Sequence, residues 1–211
     1  RMTDAIFFTI VERGKANRIL EQAQKIGAQS GTIILGHGTS RSRFRATRHL
    51  GQRTKEILMI SAEEQLASQL HEMVASTFAL NKRHRGIAFT IPFSEGGWSE
   101  LATPAAWNLI ITIVDRGQSE ACIKSARSAG AKGGTVISGR GAGIPAHYYA
   151  DLAIEPQKEI ILILTPAQTT DEVKRRIIAD LDLQRTGGGM LFVLSVTETT
   201  GLVEESKRGV R

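Results

Sequence analysis

Displaced along itself by 103 residues, the chain meets itself again. Thr9-Ile10-Val11-Glu12-Arg13-Gly14 falls on Thr112-Ile113-Val114-Asp115-Arg116-Gly117. The same offset carries Gly27-Ala28 onto Gly130-Ala131, Gly31-Thr32 onto Gly134-Thr135, and Lys55-Glu56-Ile57 onto Lys158-Glu159-Ile160. Gly36 and Gly38 land on Gly139 and Gly141, and Gly86 and Phe89 on Gly189 and Phe192. From position 9 to 93, about twenty of the 85 aligned residues are identical without a gap; shared composition alone would give about five or six. The chain is a tandem duplication, with repeats over 1–97 and 104–211 and a linker near 94–106.

Within each repeat the hydrophobic period changes in a fixed order. Ile6 to Val11, matched by Leu109 to Val114, is a short apolar β-branched run and predicts a strand. Ile19, Ala23 and Ile26 (Cys122, Ala126 and Ala129 in the second copy) predict one helix face, stopped by Gly27 or Gly130. Gly31 to Gly36 predicts a second strand. A long connection without clear periodicity follows, over 37–54 and 140–157. Lys55 to Ser61 predicts a third strand, and Leu70, Val74 and Phe78 (Val173, Ile177 and Leu181) predict a second helix. Gly86 to Phe93 closes the unit as a fourth strand. The expected class is α+β: two ferredoxin-like βαββαβ repeats, each an antiparallel four-stranded sheet with its helices on one face.

Such a sheet should alternate apolar and polar residues, because one face looks at water. These strands do not alternate: Ile160-Ile161-Leu162-Ile163-Leu164 and Met190-Leu191-Phe192-Val193-Leu194 are apolar throughout. A second greasy face calls for cover, and a homo-oligomer is the expected source of it.

Charge separates the two long connections. Residues 39–53 carry Arg41, Arg43, Arg45, Arg48 and Arg53 with no acidic residue; residues 142–157 carry Asp151 and Glu155 with no lysine or arginine. Most of the net charge of +6 therefore sits in one loop. Guanidinium groups make paired contacts with carboxylate and phosphate, so that loop reads as a docking arm. Glu12 and Asp115 stand where a carboxylate favours a helix N-terminus. Cys122 reads as a small core residue, and one cysteine allows no internal disulfide framework. His37, His49, His71, His84 and His147 have no metal-ligand spacing. No nucleophile–base or paired-carboxylate grouping recurs in both repeats, so no catalytic residue and no metal are expected. With no secretion signal and no membrane-length apolar run, a cytoplasmic location without membrane insertion is expected.

"GAKGGTVISGRGAG" (130–143), "EPQKEIILILTP" (155–166) and "GGGMLFVLSV" (187–196), echoed by "GAQSGTIILGHG" (27–38), "KEILMI" (55–60) and "RGIAFTIPF" (85–93), resemble the PII signal-transduction family in a tandem form. The resemblance implies a trimer that is not an enzyme. It would bind ATP, ADP or AMP, or a similar small effector, in clefts between domains and act through its long T-loops on an enzyme, transporter or transcription regulator of nitrogen metabolism. By this likeness the nucleotide or anion site uses Gly36, Gly38, Gly139 and Gly141 at the T-loop bases, with Gly86 and Thr186-Gly187-Gly188-Gly189 before the last strands. The partner-docking residues are the five loop arginines with Tyr148 and Tyr149. The family's lysine after the last glycine turn is Met190 here, and its arginine pair after the last strand is replaced by Gly201-Leu202-Val203.

Two other classes share the βαββαβ order. A tandem RNA-recognition module needs aromatic residues on its third strand to stack bases, whereas Glu56-Ile57-Leu58-Met59-Ile60 and its repeat have none, so nucleic acid is not an expected partner. A tandem amino-acid-sensing module of the ACT type places its ligand loop after the first strand; here the long loop follows the second.

Overall fold

A computed structural model describes residues 4–39, 53–94, 97–98, 104–140, 147–149, 152–154 and 157–202. The chain is a mixed α+β protein with antiparallel strands and four helices. The first repeat gives β1 (Asp4–Glu12), α1 (Ala16–Lys25), β2 (Thr32–Gly38), β3 (Arg53–Glu63), α2 (Glu64–Thr77), β4 (Ile87–Ser94) and β5 (Gly97–Trp98). The second gives β6 (Trp107–Asp115), α3 (Ser119–Ser128), β7 (Thr135–Arg140), β8 (His147–Tyr149), β9 (Leu152–Ile154), β10 (Gln157–Pro166), α4 (Ala167–Asp180), β11 (Met190–Val196) and β12 (Glu198–Thr200).

Two compact units take pieces from both repeats. Unit 1 comprises residues 1–34, 56–100 and 196–211; unit 2 comprises 35–55 and 101–195. In unit 1 the strand order is β2-β3-β1-β4-β12, with Phe8 opposite Phe89 across β1 and β4 and Thr199 opposite Phe89 across β12 and β4. In unit 2 the order is β11-β6-β10-β7, with Ile160 opposite both Ile113 and Ile137, and the end of β2 joins β7 through His37↔Val136 and Gly38↔Thr135.

Each unit has its own core between sheet and helices. Phe7, Val11, Leu58, Ile60 and Ala88 meet Ile19, Ala23, Leu70 and Val74 in unit 1; Ile110, Val114, Ile161 and Ile163 meet Cys122, Ala126, Val173 and Ile177 in unit 2. Both short helices end in the same way. Gly27 N–H donates to Gln24 O and Ala28 N–H to Ala23 O, and the pairs Gly130–Arg127 and Ala131–Ala126 repeat it, closing the last turn on a left-handed glycine. Because that closure ends α1 at Lys25, Ile26 does not extend the buried face as its spacing predicts; it is 41% exposed.

Alternate strand residues form the face opposite the helices. In unit 1 Ile10, Ile57, Phe89 and Ile91 on that face are buried, Ile6, Phe8 and Met59 are half-buried, and the Phe8 and Phe89 rings stack 5.0 Å apart. In unit 2 the face is graded: Leu109 and Leu162 on the central strands are buried, while Met190 (57%) and Phe192 (37%) on the outer strand are exposed. The sequence also expects no regular structure over 140–157 and a plain linker over 94–106. The first contains a hairpin, β8 on β9, with Tyr148 opposite Ala153, and the second contains β5, with Trp98 opposite Phe93. These short pairings are fixed by backbone hydrogen bonds, which leave little hydrophobic period to read.

Candidate functional site

The strand-to-helix turn is built twice from the same parts. Gly14 (φ +90°) and Gly117 (φ +94°) hold left-handed backbone that side-chain-bearing residues rarely adopt. Neither α1 nor α3 has a side-chain cap from its own N-cap residue. The acceptor comes from across the sheet: Glu56 of β3 accepts from Gly14 N–H and, at 3.4 Å, from Ala16 N–H, and Glu159 of β10 accepts from Gly117 N–H. Both carboxylates are buried. The expectation that Glu12 and Asp115 serve these helix starts is therefore corrected. Asp115 takes an ion pair with Lys158 Nζ at 2.5 Å, and Glu12 lies 3.7 Å from Lys15 Nζ. Strand register, unseen in the sequence, brings residues 42 apart together and gives the role to the third strand.

The turn before the last strand is also built twice. Ala79 (φ +56°) and Asp182 (φ +50°), His84 (φ +61°) and Gly187 (φ +76°), and Gly86 (φ +135°) and Gly189 (φ +122°) are equivalent pairs with matching backbone. Lys82 N–H donates to Ala79 O in the first copy, and Arg185 N–H to Asp182 O in the second. In the second copy Thr186, Gly187 and Gly189 are exposed, and a side chain placed on Gly187 would touch nothing within 4 Å. Gly188 is buried and its N–H is spent within the turn, on Arg185 O at 2.9 Å.

The remaining predicted site residues fall elsewhere. Gly36, Gly38 and Gly139 all lie in unit 2, on β2 and β7. In that unit β7 and β11 are separated by β10 and β6, about 14 Å at normal strand spacing. One unit therefore does not bring Gly139 together with the Thr186–Gly189 turn, and Gly86 belongs to unit 1. Arg53 begins β3, and Tyr148 and Tyr149 lie on β8. Gly141 and the arginines at 41, 43, 45 and 48 lie outside the described residues. The residue that leads into this arginine-rich loop is held firmly: Thr39 N–H and hydroxyl donate to Gly134 O at 3.1 and 3.0 Å, Gly134 N–H donates back to Thr39 Oγ1 at 2.9 Å, and the Arg127 guanidinium donates to Thr39 O.

Two buried groups complete the polar inventory. His71 of α2 sits between Thr200 Oγ1 (2.7 Å from Nδ1) and Thr90 Oγ1 (2.8 Å from Nε2), edge-on to Phe7. Burial holds its pKa below the usual histidine value of 6.5, against a smaller upward pull from Glu198. The Cys122 thiol is wholly enclosed and pushed up to about 11 by burial, opposed weakly by Thr112, which suits a core residue and not a nucleophile.

No protein-family model matches the chain, and no curated protein matches it in sequence. Among solved structures it is similar to PII of Arabidopsis thaliana bound to citrate, at 21% identity and a TM-score of 0.35 over 46% of this chain and 81% of that one. It is similar to an unknown protein from Galdieria sulphuraria at 12% identity and a TM-score of 0.34, over 93% and 100% of the two chains. It is also similar to an anthrone oxidase-like protein at 8% identity and a TM-score of 0.25, over 100% and 98%. The expectation that the chain is not an enzyme is withdrawn, since one of these neighbours is an oxidase-like protein. That likeness supplies neither substrate nor reaction. Among the described residues no helix is long and apolar enough to cross a membrane.

Proposed function

We propose that this chain is a PII-like signal-transduction protein made of two ferredoxin-like repeats, 1–97 and 104–211, which binds a small anionic effector and regulates a partner protein through its long loops. The effector is an adenine nucleotide or a similar metabolite, and the partner an enzyme, transporter or transcription regulator of the nitrogen-regulatory kind. The observation that carries the reading is the turn before the last strand. It recurs with one left-handed backbone in both repeats, and in the second copy it presents exposed glycines at 187 and 189. Backbone N–H groups in such a turn can approach phosphate oxygens closely, since no Cβ stands in the way. The second-strand glycines lie on the far side of the sheet, so a cleft using both sets needs another copy of the chain. A trimer is the proposed assembly, and the exposed Met190 and Phe192 are apolar surface for it to cover.

The test is a thermal-shift screen with ATP, ADP, AMP, 2-oxoglutarate and bicarbonate, read beside native mass. A ligand at 100 times its Kd adds about 2.7 kcal/mol of stability, several degrees for a chain of this size. Stabilisation by an adenylate on a three-chain particle is expected; no shift with any of the five overturns the effector.

A further inference from the structure

The two copies of this turn differ in what lies on them. In unit 1 the chain returns after β11 and lays β12 along β4, pairing Glu198 with Thr90, Thr199 with Phe89 and Thr200 with Ala88. Side chains lock it down. Thr200 Oγ1 meets His71 Nδ1 at 2.7 Å, Ser68 Oγ donates to Glu198 Oε2 at 2.9 Å, and Thr197 N–H donates to Thr90 O at 3.0 Å. Gly201 (φ +83°) then closes on the turn itself. A Cβ there would stand 2.4 Å from Gly86 O and 2.5 Å from Leu80 O. Gly86 is half-buried as a result, whereas its counterpart Gly189 is exposed.

Unit 2 shows no such strand among its described residues. Nothing among them pairs with the outer edge of β11, and the side chains that would anchor one have changed. Asp171 stands where Ser68 does and Lys174 where His71 does. A carboxylate at 171 would repel Glu198 instead of donating to it, so the tail strand is matched to unit 1 and mismatched to unit 2.

We propose that residues 197–201 form a strap that covers the Gly86 end of the unit 1 copy of the ligand turn, where His84 and Arg85 stand in place of Gly187 and Gly188 and stay exposed. Each chain then offers one open anion site, at Thr186–Gly189, and not two. The stoichiometry rests on the effector reading above; the strap does not. Hydrogen exchange tests the strap by itself. The amides of Ala88 and Thr90, on the β12 edge of β4, are protected in the full chain, and Gly201→Val, which cannot fit against Gly86 O, speeds their exchange at least tenfold while leaving 190–194 unchanged. Equal protection in the variant, or no protection in the parent, overturns the strap. Calorimetry with ATP, and separately with inorganic pyrophosphate, tests the stoichiometry. One equivalent per chain is expected, lost in Gly187→Asp, kept in His84→Asp, and rising toward two in Gly201→Val. Two equivalents in the parent, or equal loss in both aspartate variants, overturns the one-site inference. Absence of binding by either probe overturns the effector reading and the count together, and the exchange result still decides the strap.

Discussion

Thr9 and Thr112 occupy equivalent positions on the first strand of each repeat. Both side chains point at the helices and both are fully buried; among the described residues Thr9 Oγ1 has no hydrogen-bond partner, and Thr112 Oγ1 has none beyond the weak Cys122 thiol. Thr9 lies between Phe7 and Val11 on the core face, opposite Ala88 of β4. A buried hydroxyl without a partner costs about 1–3 kcal/mol. Valine has the same branched shape and a comparable strand preference, so Thr9→Val removes that cost and adds a methyl to an apolar layer. The expected gain is about 1–2 kcal/mol, or about 2–8 °C in Tm for a chain of this length. Thr112→Val should gain less, because the Cys122 thiol lies beside that hydroxyl and gives it a weak polar neighbour. The double variant should add, since the two sites lie in separate cores. Thermal and urea unfolding of the three variants against the parent measure this. A fall in stability for Thr9→Val would refute the reasoning, because it would mean that the hydroxyl has a partner and is part of the fold.

Further outcomes follow from the polar contacts. Glu56→Ala and Glu159→Ala each strip the acceptor from a left-handed glycine N–H and should each cost about 1–3 kcal/mol, with glutamine restoring part of it; near-neutral alanine variants in denaturant titrations would remove the turn from the account. His71 has its folded pKa held below 6.5 by burial, so the unfolded chain takes up its proton first as pH falls. Stability should be fully present above 6.5 and decline as pH drops below it toward the lowered folded value; urea midpoints should show this slope, and His71→Gln should flatten it. Neutralising Arg41, Arg43, Arg45, Arg48 and Arg53 together should weaken capture of the regulated partner without lowering Tm, and unchanged partner affinity would rule the basic loop out as the docking arm.

The regular elements were legible because their signals are local. Ile19 with Ala23, and Leu70 with Val74, mark helix faces at a spacing of four, and the duplication reads each signal twice. What escaped depends on contacts between distant residues. Glu56 and Glu159 stand out in the sequence as identities, but their task is set by register against Gly14 and Gly117. The assignment of residues 35–55 to the second unit leaves no trace in an offset alignment, which reports common ancestry and not packing. Glu198-Thr199-Thr200 has no apolar period at all, and His71 looked like one more histidine without a metal partner.

The duplication also limits what identity between the repeats can mean. Where both copies keep a residue, as at Gly14 and Gly117 or Gly86 and Gly189, the structure finds the same backbone task in each. Where they part, neighbouring parts diverge as a set. His71, Ser68 and Thr90 become Lys174, Asp171 and Val193, and the strand that the first three hold has no counterpart in the second unit among the described residues. Three unrelated changes, two of them at positions buried in the first copy, would not strike the anchors of one strand together. A single change of role does, since once no strand docks there, Asp171 and Lys174 are free to pair with each other at 3.5 Å on the surface of α4. Divergence between the copies is therefore informative where conservation is silent: the fold needs what the repeats share, and the difference in what each copy binds lies in the groups they have exchanged.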